Sequence, residues 1–303
     1  MRDPPQPAAA PSTMSPTATR ATAARAAPFQ AIALDLDGTL LDERMQILPV
    51  SIAALQAARE RGIEVVLVTG RHHIAARAYH RQLALDTPAV CCNGIYSHDY
   101  ASDTPVRGEA LPVSDRLALL ERVRRDGLHA LAYLGDRFCF ETGEPVLDEV
   151  IAWAETLPEP LRPRFDRVDD LAPVLAQAPT VWKMAVSHVD PAALPAFARS
   201  VQADLGLGTV QTGPLRLDIG RPGHSKASGL RHWLDSRGIP LDRVVAFGDN
   251  HNDISMLEAV GHGVAMAGAP AEVQASADEV CGRNDDPSIA AVLRRLQAEG
   301  LLG

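Results

Sequence analysis

The chain is short of cysteine, of positive charge and of long apolar runs, and each shortage excludes something. Cys91, Cys92, Cys139 and Cys281 are the 4 cysteines in 303 residues. None forms a CxxC pair, so neither a disulfide framework nor a structural zinc site is expected. Adjacent Cys91 and Cys92 read as small core residues in an apolar run, and this cysteine usage fits a reducing cytoplasm. The formal net charge is −9. That argues against nucleic acid, whose binding is driven by Lys and Arg neutralising phosphates; phosphorylated small molecules need only a local cationic spot. No stretch approaches the roughly 18 uninterrupted apolar residues of a membrane span, so no membrane partner is expected. There is also no internal repeat.

What is present is a large globular chain. Hydrophobic residues make up 46% and charged residues 22%, enough for a real core. The first 28 residues, rich in Ala, Pro, Thr and Ser, lack the apolar stretch of a secretion signal and read as a disordered leader, with Met14 an alternative start. Order is expected from Phe29. Ala31 to Leu34 is a short apolar run, suited to a strand buried on both faces of a parallel sheet. A helix over Pro49 to Arg61 follows, then a strand over Ile63 to Val68, a helix over His72 to Leu85 and a strand over Ala89 to Cys92. The far end repeats this grammar: helix Ser225 to Ser236, strand Val244 to Phe247, helix Asn252 to Val260, and short strands at Val264 to Met266 and Glu279 to Val280. Such alternation implies right-handed crossovers and a doubly wound, Rossmann-like α/β core.

The middle differs. Strands at Ala130 to Leu134 and Val181 to Val186, helices at Val113 to Arg125 and Ala192 to Leu205, and a Pro-rich loop at Leu157 to Arg164 describe an inserted α+β module. The expected division is a core of residues 29–95 and 215–303 with a cap of residues 96–214.

Ligands of open α/β sheets bind beyond the carboxyl ends of the strands. Here those ends carry Asp35 and Asp37, Thr69, Asn93, and Asp249 with Asp253. Four converging carboxylates repel unless something balances them. A divalent cation does so, and an all-oxygen donor set favours Mg²⁺. Asp35 ends a buried strand and suits a nucleophile that takes up a phosphoryl group. Asp37, two residues on, can give a proton to the leaving alcohol and later take one from water. Charge on the phosphoryl oxygens needs compensation, for which Thr69, Gly70 and Lys226 are candidates. Lys226 opens a helix, where the dipole disfavours a cation. Asp249 is expected on the metal, with Asn252 and Asp253 near phosphate and metal waters. Each residue alone has a plainer reading, since Asp-Gly and Gly-Asp pairs commonly make turns. Their joint placement at successive strand ends is what points to a site.

The pattern resembles the haloacid dehalogenase superfamily. DLDGTL (Asp35 to Leu40) is similar to its first motif, Thr69 to its second, Lys226 to its third and GDNHND (Gly248 to Asp253) to its fourth. The insert between the second and third motifs looks like the type-2 cap of the Cof-like subfamily. The resemblance implies Asp35 as nucleophile, Asp37 as acid and base, and Mg²⁺ held by Asp35, the Asp37 carbonyl and Asp249. It also implies phosphate contacts from the Leu36 backbone, Thr69, Gly70, Lys226 and Asn252. The stretches LALDTPAVCCNGIY (Leu83 to Tyr96), VTGRHH (Val68 to His73), WAETLPEPLRP (Trp153 to Pro163) and VWKMAVSH (Val181 to His188) are similar to pyridoxal phosphate phosphatases of the Cof-like group. The likeness implies hydrolysis of phosphate monoesters with pyridoxal 5′-phosphate foremost, and sugar phosphates as the alternative. A phospho-receiver switch and a phosphomutase share parts of this chemistry.

Other residues carry weaker expectations. Arg71 can match phosphate geometry. His72 and His73 are expected to be solvated or to cap a helix, with substrate contact by one of them the alternative, and Asn93 either faces ligand or makes a turn. Trp182 and Lys183 sit in one strand, where alternation places one inward and the other outward; Trp182 reads as structural and Lys183 is left open.

Overall fold

The computed structural model describes residues 28–141 and 145–302, together with the backbone but not the side chains of Pro145 and Val146. The expected leader lies outside the described residues except for Pro28. Five short parallel strands form the central sheet: β1 (Ala31–Leu34), β2 (Glu64–Leu67), β12 (Val244–Gly248), β13 (His262–Ala265) and β14 (Glu279–Val280), in the order β14-β13-β12-β1-β2. A sixth strand, β3 (Ala89–Cys91), joins beside β2 through a parallel bridge between Val68 and Val90.

Strand periodicity of two divides the side chains between two helix layers. Ile32 and Leu34, Val65 and Leu67, and Val245 and Phe247 share one core with α1 (Pro49–Arg59) and α10 (Ser288–Ala298). Ala31 and Ala33, Val66 and Val68, and Val244 and Ala246 share the other with α7 (Lys226–Arg237) and α8 (Ile254–Ala259). All of β1 is fully buried, as a strand covered on both faces must be. The α/β doubly wound core is therefore the observed architecture.

The inserted module is built on a six-stranded sheet. Its strands are β6 (His129–Leu134), β7 (Phe138–Phe140), β8 (Phe165–Arg167), β9 (Val181–Ser187), β10 (Gly208–Gly213) and β11 (Arg216–Gly220), in the order β10-β11-β9-β6-β7-β8. Helices α3 (Val113–Arg125) and α6 (Ala193–Leu205) cover one face through Leu119, Val123, Phe197 and Val201. The other face turns to the parallel-sheet core.

Sheet pairing moves both expected boundaries. The hairpin of β4 (Tyr96–Asp99) and β5 (Thr104–Gly108) hydrogen-bonds to β3, extending the core rather than the cap. Strand β11 pairs with β9 out to Gly220, so the cap sheet runs past residue 214. The alternation argument for Trp182 and Lys183 also needs correcting. Tyr133 pairs with Lys183 but Leu134 pairs with Val181, which leaves Trp182 as the extra residue of a β-bulge. Val181 and Met184 face the cap helices. Trp182 stacks on Tyr96 at 4.1 Å and Lys183 bonds to Gly70, so both turn toward the core.

Close backbone approach holds α7 against the β3 turn. Gly94 has φ of 88°, and a Cβ added there would meet the Ser225 carbonyl oxygen at 2.1 Å. A Cβ on Gly229 would meet Val90 Cγ1 at 2.5 Å and Gly94 Cα at 2.7 Å. Gly229→Ala is therefore expected to destabilise the fold by about 1–3 kcal/mol, the usual cost of overpacking. Urea denaturation checks this, and an unchanged midpoint would contradict it.

Candidate active site

The chain after β1 turns within one residue. Asp35, 4% exposed, still pairs along the sheet through its N–H to the Phe247 carbonyl at 3.1 Å. The loop then closes through Leu41 N–H to the Leu36 carbonyl at 2.9 Å. Gly38 makes this turn possible: its φ is 74°, and a Cβ there would lie 2.3 Å from Asp249 Oδ2.

Two neighbouring strand ends thus bring the acids together. Asp35, Asp249 and Asp253 each offer a carboxylate oxygen within 4.8 Å of the others. Lys226 sits at the first position of α7, behind a Ser225–Ser228 capping box, and is fully buried. Its Nζ lies 2.6 Å from Asp35 Oδ1 and 2.6 Å from Asp253 Oδ1. Asp253 Oδ2 also accepts the N–H groups of Asp249 at 3.1 Å and Asn250 at 3.0 Å. Asp253 therefore spends its carboxylate on Lys226 and on the loop, while Asp35 and Asp249 keep oxygen capacity facing each other. Thr39 Oγ1 donates to Asp249 Oδ1 at 2.9 Å. Burial, outweighing Lys226, pushes the Asp35 carboxyl well above its usual range, and the charges of Asp253 and Asp249 add to this. Burial, with the charge of Asp253, pushes Asp249 up to about 6. Lys226, shared between Asp35 and Asp253, does not offset the crowding of Asp35 and Asp249, whose oxygen donors fit a hard divalent cation.

Asp37 meets Arg71 through two hydrogen bonds, Nε to Oδ2 at 2.7 Å and Nη2 to Oδ1 at 2.5 Å. Burial pushes the Asp37 carboxyl up, but the Arg71 charge and hydrogen bonds more than reverse it, so Asp37 is held ionised. Arg71 in turn stacks under Trp153 of α4 (Pro145–Glu155), 4.5 Å from the ring centre. Thr69 is fully buried, and its Oγ1 accepts the Arg71 N–H at 3.0 Å. Asn252 Nδ2 donates to Asn93 Oδ1 at 2.9 Å. Gly70 borders the same space, and Leu36 is buried between Asp35 and Asp37 in the chain. A cavity of about 400 Å³ opens above these groups, lined by Asp35, Asp37, Arg71, Gly70 and Asn252 from the core. The cap contributes Tyr133, Phe138, Trp153 and Phe165.

The profile of the haloacid dehalogenase-like hydrolases matches residues 32–293. The chain belongs to this family. It is 44% identical over 259 residues to the pyridoxal phosphate phosphatase YbhA of Escherichia coli, covering 86% of this chain and 95% of that protein. It is 29% identical over 266 residues to the 5-amino-6-(5-phospho-D-ribitylamino)uracil phosphatase YitU of Bacillus subtilis, covering 87% of this chain and 96% of that protein. A solved haloacid dehalogenase-like hydrolase from Bacteroides thetaiotaomicron has the same fold, with a TM-score of 0.78 and 24% identity over 88% of this chain and 99% of that one. Among the described residues of this chain, no helix is long and apolar enough to cross a membrane.

At the edge of the site the structure decides between readings that the sequence left open. His72 and His73 are buried, not solvated. His72 caps α2 (His73–Gln82), its Nδ1 accepting the Ile74 N–H at 3.3 Å. Its Nε2 donates to the Leu134 carbonyl of the cap at 2.5 Å. Lys183, left open by sequence, proves fully buried beneath the cavity. One signal marked it in advance: Lys183 and Lys226 are the only lysines among 29 Lys and Arg residues. The cap aromatics gave no comparable signal, because their convergence depends on strand order. A further set of metal-ligand types, His73, His98 and Asp103, lies at the hairpin. The two rings stack at 3.7 Å and 11°, so no ion can lie in both ring planes, and Arg77 holds Asp103 at 2.9 Å. This is packing, not a metal centre.

Burial drives the His72 imidazole down to about 3, against an upward pull from its bond to Leu134. A histidine neutral when folded takes up its proton on unfolding, so its stabilisation holds above about pH 6.5 and fades as pH falls toward 3. Wild-type protein is expected to lose up to about 2 kcal/mol between pH 7.5 and 5 from this residue alone. His72→Asn keeps an acceptor for Ile74 and should show a shallower loss. Parallel pH slopes in chemical denaturation would contradict the assignment.

Proposed function

We propose that this hydrolase is a Mg²⁺-dependent phosphatase of small phosphate monoesters, that pyridoxal 5′-phosphate is its substrate, and that the phosphoryl group passes through Asp35. The observation that carries the reading is a buried Asp35, its one cationic partner Lys226 shared with Asp253, at the floor of an aromatic-walled cavity. Tyr133, Phe138 and Trp153 suit a planar ring. The relative at 44% identity is named for this substrate. Lys183 is compatible with an aldehyde close by: burial pulls its ammonium down, but Asp218 more than compensates, and a protonated amine does not attack a carbonyl.

Asp35, the Asp37 carbonyl and Asp249 are the groups that would hold Mg²⁺, with Asp253 and Lys226 fixing the two acids from below. A bound Mg²⁺ would neutralise charge building on the phosphoryl oxygens. Asp35 forms a bond to phosphorus as the ester P–O bond breaks. Arg71 borders the cavity and can turn to the anionic substrate; Asp37, released from it, takes up a proton from solvent water and gives that proton to the leaving alkoxide. Water then attacks phosphorus, Asp37 takes its proton, and Asp35 is released with inorganic phosphate. Thr69 and Asn252 hold the phosphoryl oxygens, and the Leu36 and Gly70 backbones complete the cradle. Water exclusion by the cap strengthens each of these interactions. The four free cysteines fit action in a reducing compartment such as the cytoplasm.

Phosphate release from pyridoxal 5′-phosphate, sugar phosphates and nucleotides, with and without Mg²⁺, tests the reading. Pyridoxal 5′-phosphate is expected to rank first, with turnover lost on chelation. Asp37→Asn should lower kcat by about 10²–10⁴-fold. Pyridoxal 5′-phosphate ranking among the poorest would reject the substrate, and full rate in chelator would reject the chemistry.

A further inference from the structure

Lys183 lies on β9 and Asp218 on the neighbouring β11, and both side chains leave the cap sheet on the face toward the core. They are 1% and 5% exposed. Lys183 Nζ is paired with Asp218 Oδ2 and donates across the domain boundary to the Gly70 carbonyl at 2.8 Å. Asp218 Oδ2 also accepts from Asn93 Nδ2 at 3.3 Å. From these contacts we propose that Lys183 and Asp218 are positioning residues, a buried latch by which the cap orients the phosphate-binding groups of the core. The inference rests on the phosphate site described above.

The latch has two arms. The first fixes the peptide between Gly70 and Arg71. Its carbonyl accepts from Lys183, and its N–H donates to Thr69 Oγ1 at 3.0 Å. Because Thr69 Oγ1 is used as an acceptor there, its own hydroxyl proton is free for a phosphoryl oxygen. The second arm fixes the sense of an amide relay. A carboxylate only accepts, so Asn93 must present its NH₂ to Asp218 and its oxygen to Asn252. Asn252 must then present its own NH₂ to Asn93, at 2.9 Å. The second hydrogen of that NH₂ is left for ligand. A reversed Asn252 would aim an oxygen at an anion. The imposed orientation leaves Asn252 Oδ1 buried with no partner among the described residues. That is not what unconstrained packing selects. Asn93 itself is held at φ 57° and ψ 36°, a left-handed conformation that Asn tolerates better than most residues.

Two features argue that the pair is kept for position rather than stability. A buried ion pair is a weak source of stability, and apolar replacements of similar size are often neutral or better. The chain also otherwise uses arginine for cations, its other lysine being Lys226 in the core of the site. A compact ammonium can donate to Asp218 and Gly70 together while sitting 4.3 Å from the centre of the Tyr133 ring. A planar guanidinium has no such geometry.

The test uses the full chain and inorganic phosphate as probe, measured by calorimetry in Mg²⁺ and as competitive inhibition of 4-nitrophenyl phosphate hydrolysis. Lys183→Met and Asp218→Leu each strand a buried charge and should lower Tm. The double variant removes both charges and should regain most of the wild-type Tm. If the pair positions the phosphate groups, the double variant still binds phosphate at least tenfold more weakly, with KM raised to match. Phosphate affinity and KM within twofold of wild type in the stable double variant would overturn the proposal. Failure of the wild-type protein itself to bind phosphate would instead overturn the underlying phosphate site.

Discussion

One ammonium group, Lys226 Nζ between Asp35 and Asp253, is the contact on which the site depends. Parallel pairing of β1 with β12 brings the two acidic turns side by side, and the fixed cation between them offsets their repulsion. Asp35, Asp37, Asp249 and Asp253 bring four negative charges; Lys226 and Arg71 return two. The shortfall falls on Asp35 and Asp249, the two acids whose carboxyls are pushed up. A divalent cation matches that shortfall in both sign and size, and it would return both acids to their ionised form.

The same economy of charge runs into the cap. The cap meets the core through His72 on Leu134, Trp153 over Arg71, and Lys183 on Gly70. Each of these contacts ends on the loop that follows β2. That loop carries Thr69 and Arg71, so cap placement and phosphate geometry are set by one set of bonds. The aromatic wall shows how a chain with only 4% aromatic residues can still build an apolar recess. Strand order brings Tyr133, Phe138 and Phe165 together from β6, β7 and β8, and α4 adds Trp153.

The core was legible in sequence because its signals are local. Short apolar runs ending in Asp, Thr or Asn, alternating with amphipathic helices, read together as buried strands whose ends share one crevice. The Asp35 strand, the Lys226 helix and the helix Val113–Arg125 follow from such runs, from capping and from helical spacing. The hidden parts depend on contacts between segments far apart in the chain. No local pattern shows that Tyr96–Gly108 pairs with β3, or that a bulge at Trp182 turns Lys183 to the core. Burial of His72 needs the cap carbonyl of Leu134, 62 residues away. Helices α4 and α10 were not expected either, although α10 packs its Ile289, Val292 and Leu296 against the same core as β1.

The central claim is that Asp35 bonds to phosphorus, and trapping that bond tests it most directly. Enzyme quenched in acid during turnover and reduced with borohydride should yield homoserine at position 35 alone, since hydride cleaves an acyl phosphate to the alcohol. Homoserine at another aspartate, or unmodified Asp35 in protein shown to be turning over, would contradict the account.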